Sequence, residues 1–308
     1  MGTDHCISTF KTAKKNYWFY LMFLPVLAFF IIFHYVPMYG VVLAFKDFRY
    51  LDGILESQWA GFKHFDRLFA SPVFWSVFKN TIIISVLRIV FSFPAPVMLA
   101  LMLNEIRHVK FKKFTQTVSY LPYFMSWIVL GGIVAEILSP SRGLLNQIIT
   151  FFGGRSVYFL TEPAYFRSIL VITGIWQSVG WDSIIFLAAI TSIDMEQYES
   201  AYIDGANRWH LTRYITFPSI LPVISIMFIL NLGQILNAGF DQIFNLYNPS
   251  VYSVADILDT YVYRVGIEKL SYSFAAAVGL FKNVIGFALV LGANICVKKL
   301  GGEESGLW

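Results

Sequence analysis

The sequence has few charged residues and almost no cysteine. Only 14% of its 308 residues are Asp, Glu, Lys or Arg, whereas ordinary soluble domains carry about 25%. Hydrophobic residues make up 57%. This imbalance is too large for a soluble core and indicates a membrane protein with several spans. Cys6 and Cys296 lie near opposite ends of the chain and predict no disulfide framework.

The chain also lacks the short motifs of common catalytic and nucleotide-binding sites. It contains no G-x-x-x-x-G-K-[ST] loop, no H-E-x-x-H, no C-x-x-C and no G-x-S-x-G. Its five histidines are scattered, so no metal site and no catalytic site are expected. The net charge of +4 is too small to indicate nucleic acid as a partner. We therefore expect neither an enzyme nor a cofactor-binding chain, and any energy must enter from outside.

Six apolar stretches are long enough to cross a bilayer. Each comes near or above the ~20 residues that a hydrocarbon core of ~30 Å requires, and without water in that core each must be helical. The first is too long for a cleaved signal peptide and is followed by no A-x-A-like site. The prediction is an all-α polytopic membrane protein with six transmembrane helices over residues 17–297. The stretches are Tyr17–Val42, Thr81–Leu103, Val118–Leu138, Ser168–Ile193, Pro218–Phe240 and Phe274–Val297.

Lysine and arginine residues predict the orientation of the spans. They cluster before the first span, after the second and after the sixth, which places all three regions on the cytoplasmic side. We therefore expect a cytoplasmic N-terminal segment (1–16), a cytoplasmic tail (298–308) and a cytoplasmic loop at 194–218. The long outer loop (43–80) has apolar residues at helical spacing. It predicts either a short helix at the membrane interface that contacts a partner or a cover over the bundle.

Three charged residues fall within the predicted spans, where a charge costs about 2.5–3.5 kcal/mol. Arg88 is expected either to pair with a neighbouring helix or to take part in gating. Asp182, next to Trp181, is expected either to face a polar cavity or to pair with a helix. Lys282 lies near the outer end of span six, so we expect its side chain to extend to the interface.

The fifth span and the residues after it predict a polar pathway. Asn231, Gln234 and Asn237 recur every three residues, as they would on one helix face. Amide and aromatic side chains together are typical of sugar recognition, the amides for hydroxyl groups and the rings for the apolar face of a pyranose. The alternative is hydrogen bonding between helices. The residues that follow the span and extend the pathway are Phe240, Asp241, Gln242 and Asn245.

The loop at 194–218 predicts a small helical knob. Asp194 is a suitable N-cap for a helix over Met195–Ile203, Gly205 permits a turn, and a second short helix is expected over 207–216 before Pro218 opens span five. A knob of this kind fits a groove on a partner, and the alternative is a loop folded back on the bundle. Its apolar stripe consists of Tyr198, Ala201, Tyr202, Ala206 and Trp209.

This loop resembles the EAA loop of permeases from binding-protein-dependent ABC importers, E-A-A-x-x-D-G-A-x8-I-x-L-P. Ser200 and Phe217 depart from the pattern. The outer loop is similar to that of the sugar-transporting subgroup, and residues 240–249 resemble those of the LplB-like branch, which transports fragments of complex polysaccharides. The residues in register with the EAA pattern are Glu199, Ala201, Asp204, Gly205, Ala206, Ile215 and Pro218.

The resemblance implies a type I importer permease that binds no cofactor itself. Partner ATPases would hold ATP and Mg, and the expected partners are a second homologous permease, two ATPase subunits, an extracellular solute-binding protein, an oligosaccharide and membrane lipid. The expected location is a bacterial cytoplasmic membrane. A permease for another solute is the first alternative, and an ion-coupled carrier or membrane enzyme is the second. The residues implied in ATPase coupling are Glu199, Ala201, Asp204, Gly205, Ala206, Arg208 and Trp209.

Overall fold

A computed structural model describes residues 16–301 of the chain, so the segment 1–16 and the tail 298–308 lie mostly outside the described residues. Within them, five helices are long and apolar enough to cross a membrane, and the number is six if one bent helix pair is counted as a single span. The helices, with the π- and 3-10 turns inside them included, are α1 Tyr17–Phe45, α2 Gly53–Glu56, α3 Lys63–Phe69, α4 Pro72–Glu105, α5 Val109–Phe124, α6 Trp127–Ile137, α7 Leu144–Phe151, α8 Pro163–Thr191, α9 Met195–Ile203, α10 Arg208–Gly233, α11 Phe240–Leu246, α12 Tyr252–Ala255, α13 Leu258–Tyr263 and α14 Tyr272–Gly301.

Prolines bend the long helices without ending them. A π-turn precedes Pro37 in α1, Pro94 in α4 and Pro218 in α10, each time ending two residues before the proline. Proline has no N–H, and its ring displaces the carbonyl of the preceding turn, so the ladder widens locally to the i→i+5 pattern. Pro218 therefore lies inside α10, and the predicted separate helix over 207–216 is instead the first part of that span.

The third predicted span is wrong as a single helix over Val118–Leu138. In its place α5 and α6 meet at an angle of 107°. Met125 is extended at the break, and the Ser126 side chain accepts a hydrogen bond from the Val129 N–H at the start of α6. The N-cap therefore begins a new helix where hydrophobicity alone indicated a continuous one.

The outer loop contains a small β-hairpin as well as helices. Strands β1, Lys46–Arg49, and β2, Ser57–Trp59, pair antiparallel with Lys46 opposite Trp59. Leu68 of α3 is fully buried in an apolar cluster with Phe74 and Phe274. The loop therefore covers the bundle, as one of the two predictions held, and the all-α class is confirmed with this hairpin as an addition.

The bundle packs closely around α8. This helix runs beside α4, and at Gly180 it meets the backbone carbonyl of Ser119 in α5. By contrast, the apolar core stretch of α1 has no buried residue among the described ones. Phe19 and Met22, for example, are 74% and 75% exposed. The first span thus contributes little to the interior of its own bundle.

Candidate translocation cavity and coupling loop

The backbone breaks sharply after α10, beside the main cavity. The helix ends at Gly233, a 3-10 turn covers Ile235–Asn237, and Ala238 and Gly239 are left-handed with φ of 44° and 80°. Gln234 and Asn237 therefore lie beyond the end of the α-helix, in a 3-10 turn, although the Asn237 amide still donates a hydrogen bond to the Gln234 side chain three residues before it. Two glycines bracket the break, and the second adopts a left-handed conformation that suits glycine.

A cavity of about 870 Å³ lies between the helices at this break. Its size is within the range of small-molecule sites. Six residues of the predicted pathway line it: Asp182, Asn231, Asn237, Phe240, Asp241 and Gln242. Aromatic side chains from several helices also line it, and none of these was predicted because they come from segments distant in sequence: Phe93, Trp127, Phe186, Tyr263 and Tyr272.

Three predicted pathway residues are not part of the cavity wall. Trp181 stacks on Tyr123 with ring centroids 4.7 Å apart. Gln234 accepts a hydrogen bond from the Asn237 amide. Asn245 donates to the Asp241 carbonyl at 2.7 Å, and its Cβ faces Gly131 of α6. Asp182, in contrast, does face the cavity, as one of the two predictions held.

Arg88 and Lys282 both bind the region of the break. The Arg88 guanidinium donates to the Gln242 side chain, which itself donates to the Leu170 carbonyl at 2.8 Å. Lys282 Nζ lies 2.6 Å from an Asp259 carboxylate oxygen and 2.7 Å from the Asn237 side-chain oxygen. The predicted extension of Lys282 to the interface is therefore wrong. The sequence could not indicate its partner, Asp259, because this residue lies 23 positions earlier in a different helix.

The knob at 194–218 forms largely as predicted. Helix α9 covers Met195–Ile203, and an Asp194 carboxylate oxygen accepts from the Glu196 N–H at 3.0 Å. At its C-terminus the Ala206 N–H bonds to the Ala201 carbonyl at 2.9 Å, and the Gly205 N–H to that of Tyr202 at 3.1 Å. These two bonds form a Schellman motif, which needs a left-handed residue at the position where Gly205 has φ of 80°.

The apolar stripe of the knob divides between two faces. Tyr198, Ala201 and Ala206 are partly buried, whereas Tyr202 and Trp209 are 57% and 67% exposed. Glu199, Asp204, Gly205 and Arg208 are exposed as well. Arg208 also lies 3.4 Å from Glu105 at the end of α4. The knob is thus anchored to the bundle on one side and presents aromatic, acidic and basic side chains on the other.

An ionic cluster stiffens the outer hairpin. Asp47 contacts Lys63 Nζ at 2.7 Å and His64 Nε2 at 3.1 Å. The hydrogen bond from Lys63 is the main cause that holds the pKa of Asp47 below its usual value. Partial desolvation opposes this effect, and the charges of Lys63 and His64 add to it. The cluster joins β1 to α3 at the outer face.

A membrane bundle with a cavity between its helices and a projecting helical knob is the architecture of a translocation subunit. The family model described as "Binding-protein-dependent transport system inner membrane component" matches residues 93–299. The chain belongs to this family. It is a permease subunit of an ABC importer, in which ATP hydrolysis is the task of separate ATPase subunits.

Characterised relatives cover nearly the whole chain. It is 44% identical to the polygalacturonan/rhamnogalacturonan transport system permease protein YteP of Bacillus subtilis, over 95% of this chain and 91% of that protein. It is 42% identical to protein LplB of the same species, over 96% and 93%. A chain in the crystal structure of a bacterial ABC transporter for import of the acidic polysaccharide alginate aligns with a TM-score of 0.90 and 41% identity, over 96% of this chain and 99% of that chain.

Proposed function

We propose that this chain is one of two permeases in an importer that carries oligosaccharides across a bacterial cytoplasmic membrane. The observation that carries the proposal is the continuity of α10. This helix begins at Arg208 in the cytoplasmic knob and ends at Gly233 beside the cavity. Its 26 residues span about 39 Å. A displacement of the knob is therefore transmitted to the cavity through one continuous helix.

Separate ATPase subunits, which hold ATP and Mg, dock on the knob at 194–218. Glu199, Asp204 and Arg208 offer charges, and Trp209 offers an exposed aromatic side chain. The Schellman turn at Gly205 leaves open space in front of the glycine, where another backbone can approach. Ala201 and Ala206 hold the turn against the bundle. This side, together with segments 1–16 and 298–308, faces the cytoplasm.

A second, homologous permease completes the pathway. The support is α1, whose 18-residue apolar stretch has no buried residue, although its C-terminal part packs on α14. A partner bundle would cover part of this exposed apolar surface. An extracellular solute-binding protein delivers the substrate to the outer loop 43–80; the solved alginate importer in complex with a periplasmic protein supports this role.

The substrate class rests on the cavity wall and on the names of the relatives. Phe93, Trp127 and Tyr263 supply ring faces, and Asn231 and Asp241 supply hydrogen-bonding groups. Such a combination suits sugar rings. The relatives named above serve polygalacturonan/rhamnogalacturonan and alginate. An ion-coupled carrier is disfavoured, since the chain belongs to a family of permeases from ABC importers.

Two measurements test the proposal. Capture of the chain in mild detergent from its native host should recover a second permease and an ATPase, and recovery of a homodimer alone would contradict the heteromeric arrangement. The captured complex in proteoliposomes, with its binding protein and ATP, should accumulate oligosaccharides but not amino acids or phosphate. Uptake of the latter solutes, or uptake driven by an ion gradient without ATP, would overturn the assignment.

A further inference from the structure

We propose that Arg88 and Lys282 are positioning residues that hold the cavity-lining segment 237–242 through their hydrogen bonds, an arrangement called the clasp below. The clasp sets how much of a movement of α10 at the knob is transmitted to the cavity. The inference rests on the proposed function. It concerns residues outside the knob and assigns no contact between them and the ATPase.

Arg88 holds the second half of the segment. Its guanidinium donates to the Gln242 side chain and fills the space beside Gly239, where an added Cβ would overlap it. The same face of α4 also carries Ser85, whose hydroxyl donates to the Ile235 carbonyl. Gln242 is buried and bonds to the Leu170 carbonyl and to Thr173 Oγ1 at 2.8 and 2.7 Å, so the clasp extends into α8.

Lys282 holds the first half of the segment from a different helix. Its ammonium group bonds to Asn237 and to both carboxylate oxygens of Asp259, at 2.6 and 2.7 Å. Asp259 belongs to α13, and its side chain lines the cavity. Three elements, α13, α14 and the 3-10 turn after α10, therefore meet on one cation.

The segment needs such support because its backbone is unusual. Ala238 and Gly239 are consecutive left-handed residues, and a non-glycine residue remains in that region only when its surroundings enforce it. Neither residue has a polar side chain of its own to fix the turn. The next two residues, Phe240 and Asp241, project into the cavity wall. Holding the turn in place therefore sets the positions of the side chains that line the cavity and face the substrate.

The clasp does not use every donor of Arg88. Among the described residues, its buried Nε atom is the one buried side-chain nitrogen or oxygen that makes no hydrogen bond with another protein atom. Arg88 also lines the cavity, so the segment that it holds borders open space into which it can shift. When α10 moves at its cytoplasmic end, the movement therefore reaches segment 237–242, which the clasp holds in place but does not lock.

The first experiment uses Arg88 variants in the complete importer in proteoliposomes. We measure oligosaccharide transported per ATP hydrolysed, and amide hydrogen exchange of residues 235–243. Arg88→Gln should lower the transport ratio about tenfold and speed exchange in this segment, since a hydrogen bond from a charged group is lost. Arg88→Lys should retain part of the ratio, because it keeps the charge but not the planar fork.

Lys79→Gln is the matched control. Lys79 is an exposed cation on the same helix, nine residues before Arg88 and therefore on the opposite face. Its removal should change neither quantity. A loss of folded protein alone would lower total transport without altering transport per ATP. An Arg88→Gln importer with the ratio and exchange of the Lys79→Gln control would overturn the role of Arg88.

The second experiment is a double-mutant cycle on the Lys282 pair. Lys282→Gln and Asp259→Asn should each lower the transport ratio, because each leaves one charge without its partner in the membrane. The double variant should lose less than the sum of the two single losses, since no unpaired charge remains, but it should stay below the wild type because the bond to Asn237 is absent. Losses that simply add would overturn the role of Lys282. If the wild-type importer transports no oligosaccharide, the proposed function fails, while hydrogen exchange in 235–243 still tests the clasp.

Discussion

The hydroxyl oxygens of Tyr198 and Thr216 lie 2.9 Å apart and join the knob helix α9 to α10. Thr216 is buried and lies in the π-turn just before Pro218. The bond therefore attaches α9 to α10 at the π-turn. It is a second connection between the two helices, in addition to the covalent one through Gly205.

Tyr198→Phe should loosen the knob. The loss of one side-chain hydrogen bond corresponds to about 1 kcal/mol, which predicts roughly fivefold faster amide exchange over residues 195–206. Tyr202→Phe is the control, because Tyr202 lies on the same helix with its side chain 57% exposed. Equal exchange rates in the two variants would contradict a bracing role for Tyr198.

Substitutions of Gly205 should separate the stability of the turn from docking. Gly205→Ala forces a Cβ into φ of 80°, which costs about 1–2 kcal/mol. Gly205→Asn tolerates the left-handed region, so the knob should regain most of its stability. Both variants place atoms in the open space before the glycine, so both should reduce ATPase stimulation by substrate. Normal stimulation in Gly205→Asn would show that the space is not used for docking.

The knob could be predicted from sequence because its signals are local. Asp194 precedes the helix, Gly205 follows it, and the observed bounds are Met195–Ile203, as expected. The break after α10 could not be predicted in this way. Amides at three-residue spacing suggested one helix face, whereas the conformation depends on Arg88 and Lys282, which are distant in sequence.

Glycines illustrate the same limit. In α14, no described atom lies within 4 Å of a Cβ added at Gly279 or Gly292. The close approach occurs at Gly180 in α8 instead, against the Ser119 carbonyl. Nothing local marks that glycine, because the partner belongs to α5, whose bend was itself not predicted.

Gly180→Ala should therefore destabilise the bundle. The added methyl group overlaps a backbone carbonyl, which cannot move as a side chain tip can, and overpacking of this kind costs about 1–3 kcal/mol. Thermal unfolding of the purified protein in detergent measures the loss. Gly132→Ala in α6, with no atom within 4 Å of the new Cβ, is the control and should unfold near the wild-type temperature. A wild-type transition for Gly180→Ala would contradict the packing of α5 on α8.

The outer hairpin should weaken in acid. The pKa of Asp47 is lowered in the folded protein, so its contribution is present above the unfolded value of about 3.9 and is lost as the pH falls through the folded value. Since the pair with Lys63 is exposed, the effect is small, about 0.2–1 kcal/mol. The protection of the amides of residues 46–59 against hydrogen exchange, after correction for the intrinsic rate at each pH, should fall below pH 4 in the wild type. In Asp47→Asn this protection should already be lower and should depend less on pH.

Trp209 and Leu211 test whether the exposed face of the knob binds the ATPase. Trp209 is 67% exposed and Leu211 is 6% exposed, although both lie in the first turn of α10. Trp209→Ala should leave thermal unfolding unchanged, because its side chain has little cover within the chain. It should weaken binding of the ATPase by about 2–4 kcal/mol if the indole fills a groove on the partner.

Leu211→Ala should do the reverse. It should lower the stability of the knob by about 2–5 kcal/mol through a buried cavity, while the folded fraction binds the ATPase as before. Titration of the ATPase onto the permease in nanodiscs, with unfolding measured in parallel, separates the two effects. If Trp209→Ala binds normally, the exposed aromatic face of the knob is not the docking surface. The partner would then have to be held by the charged residues of the loop alone.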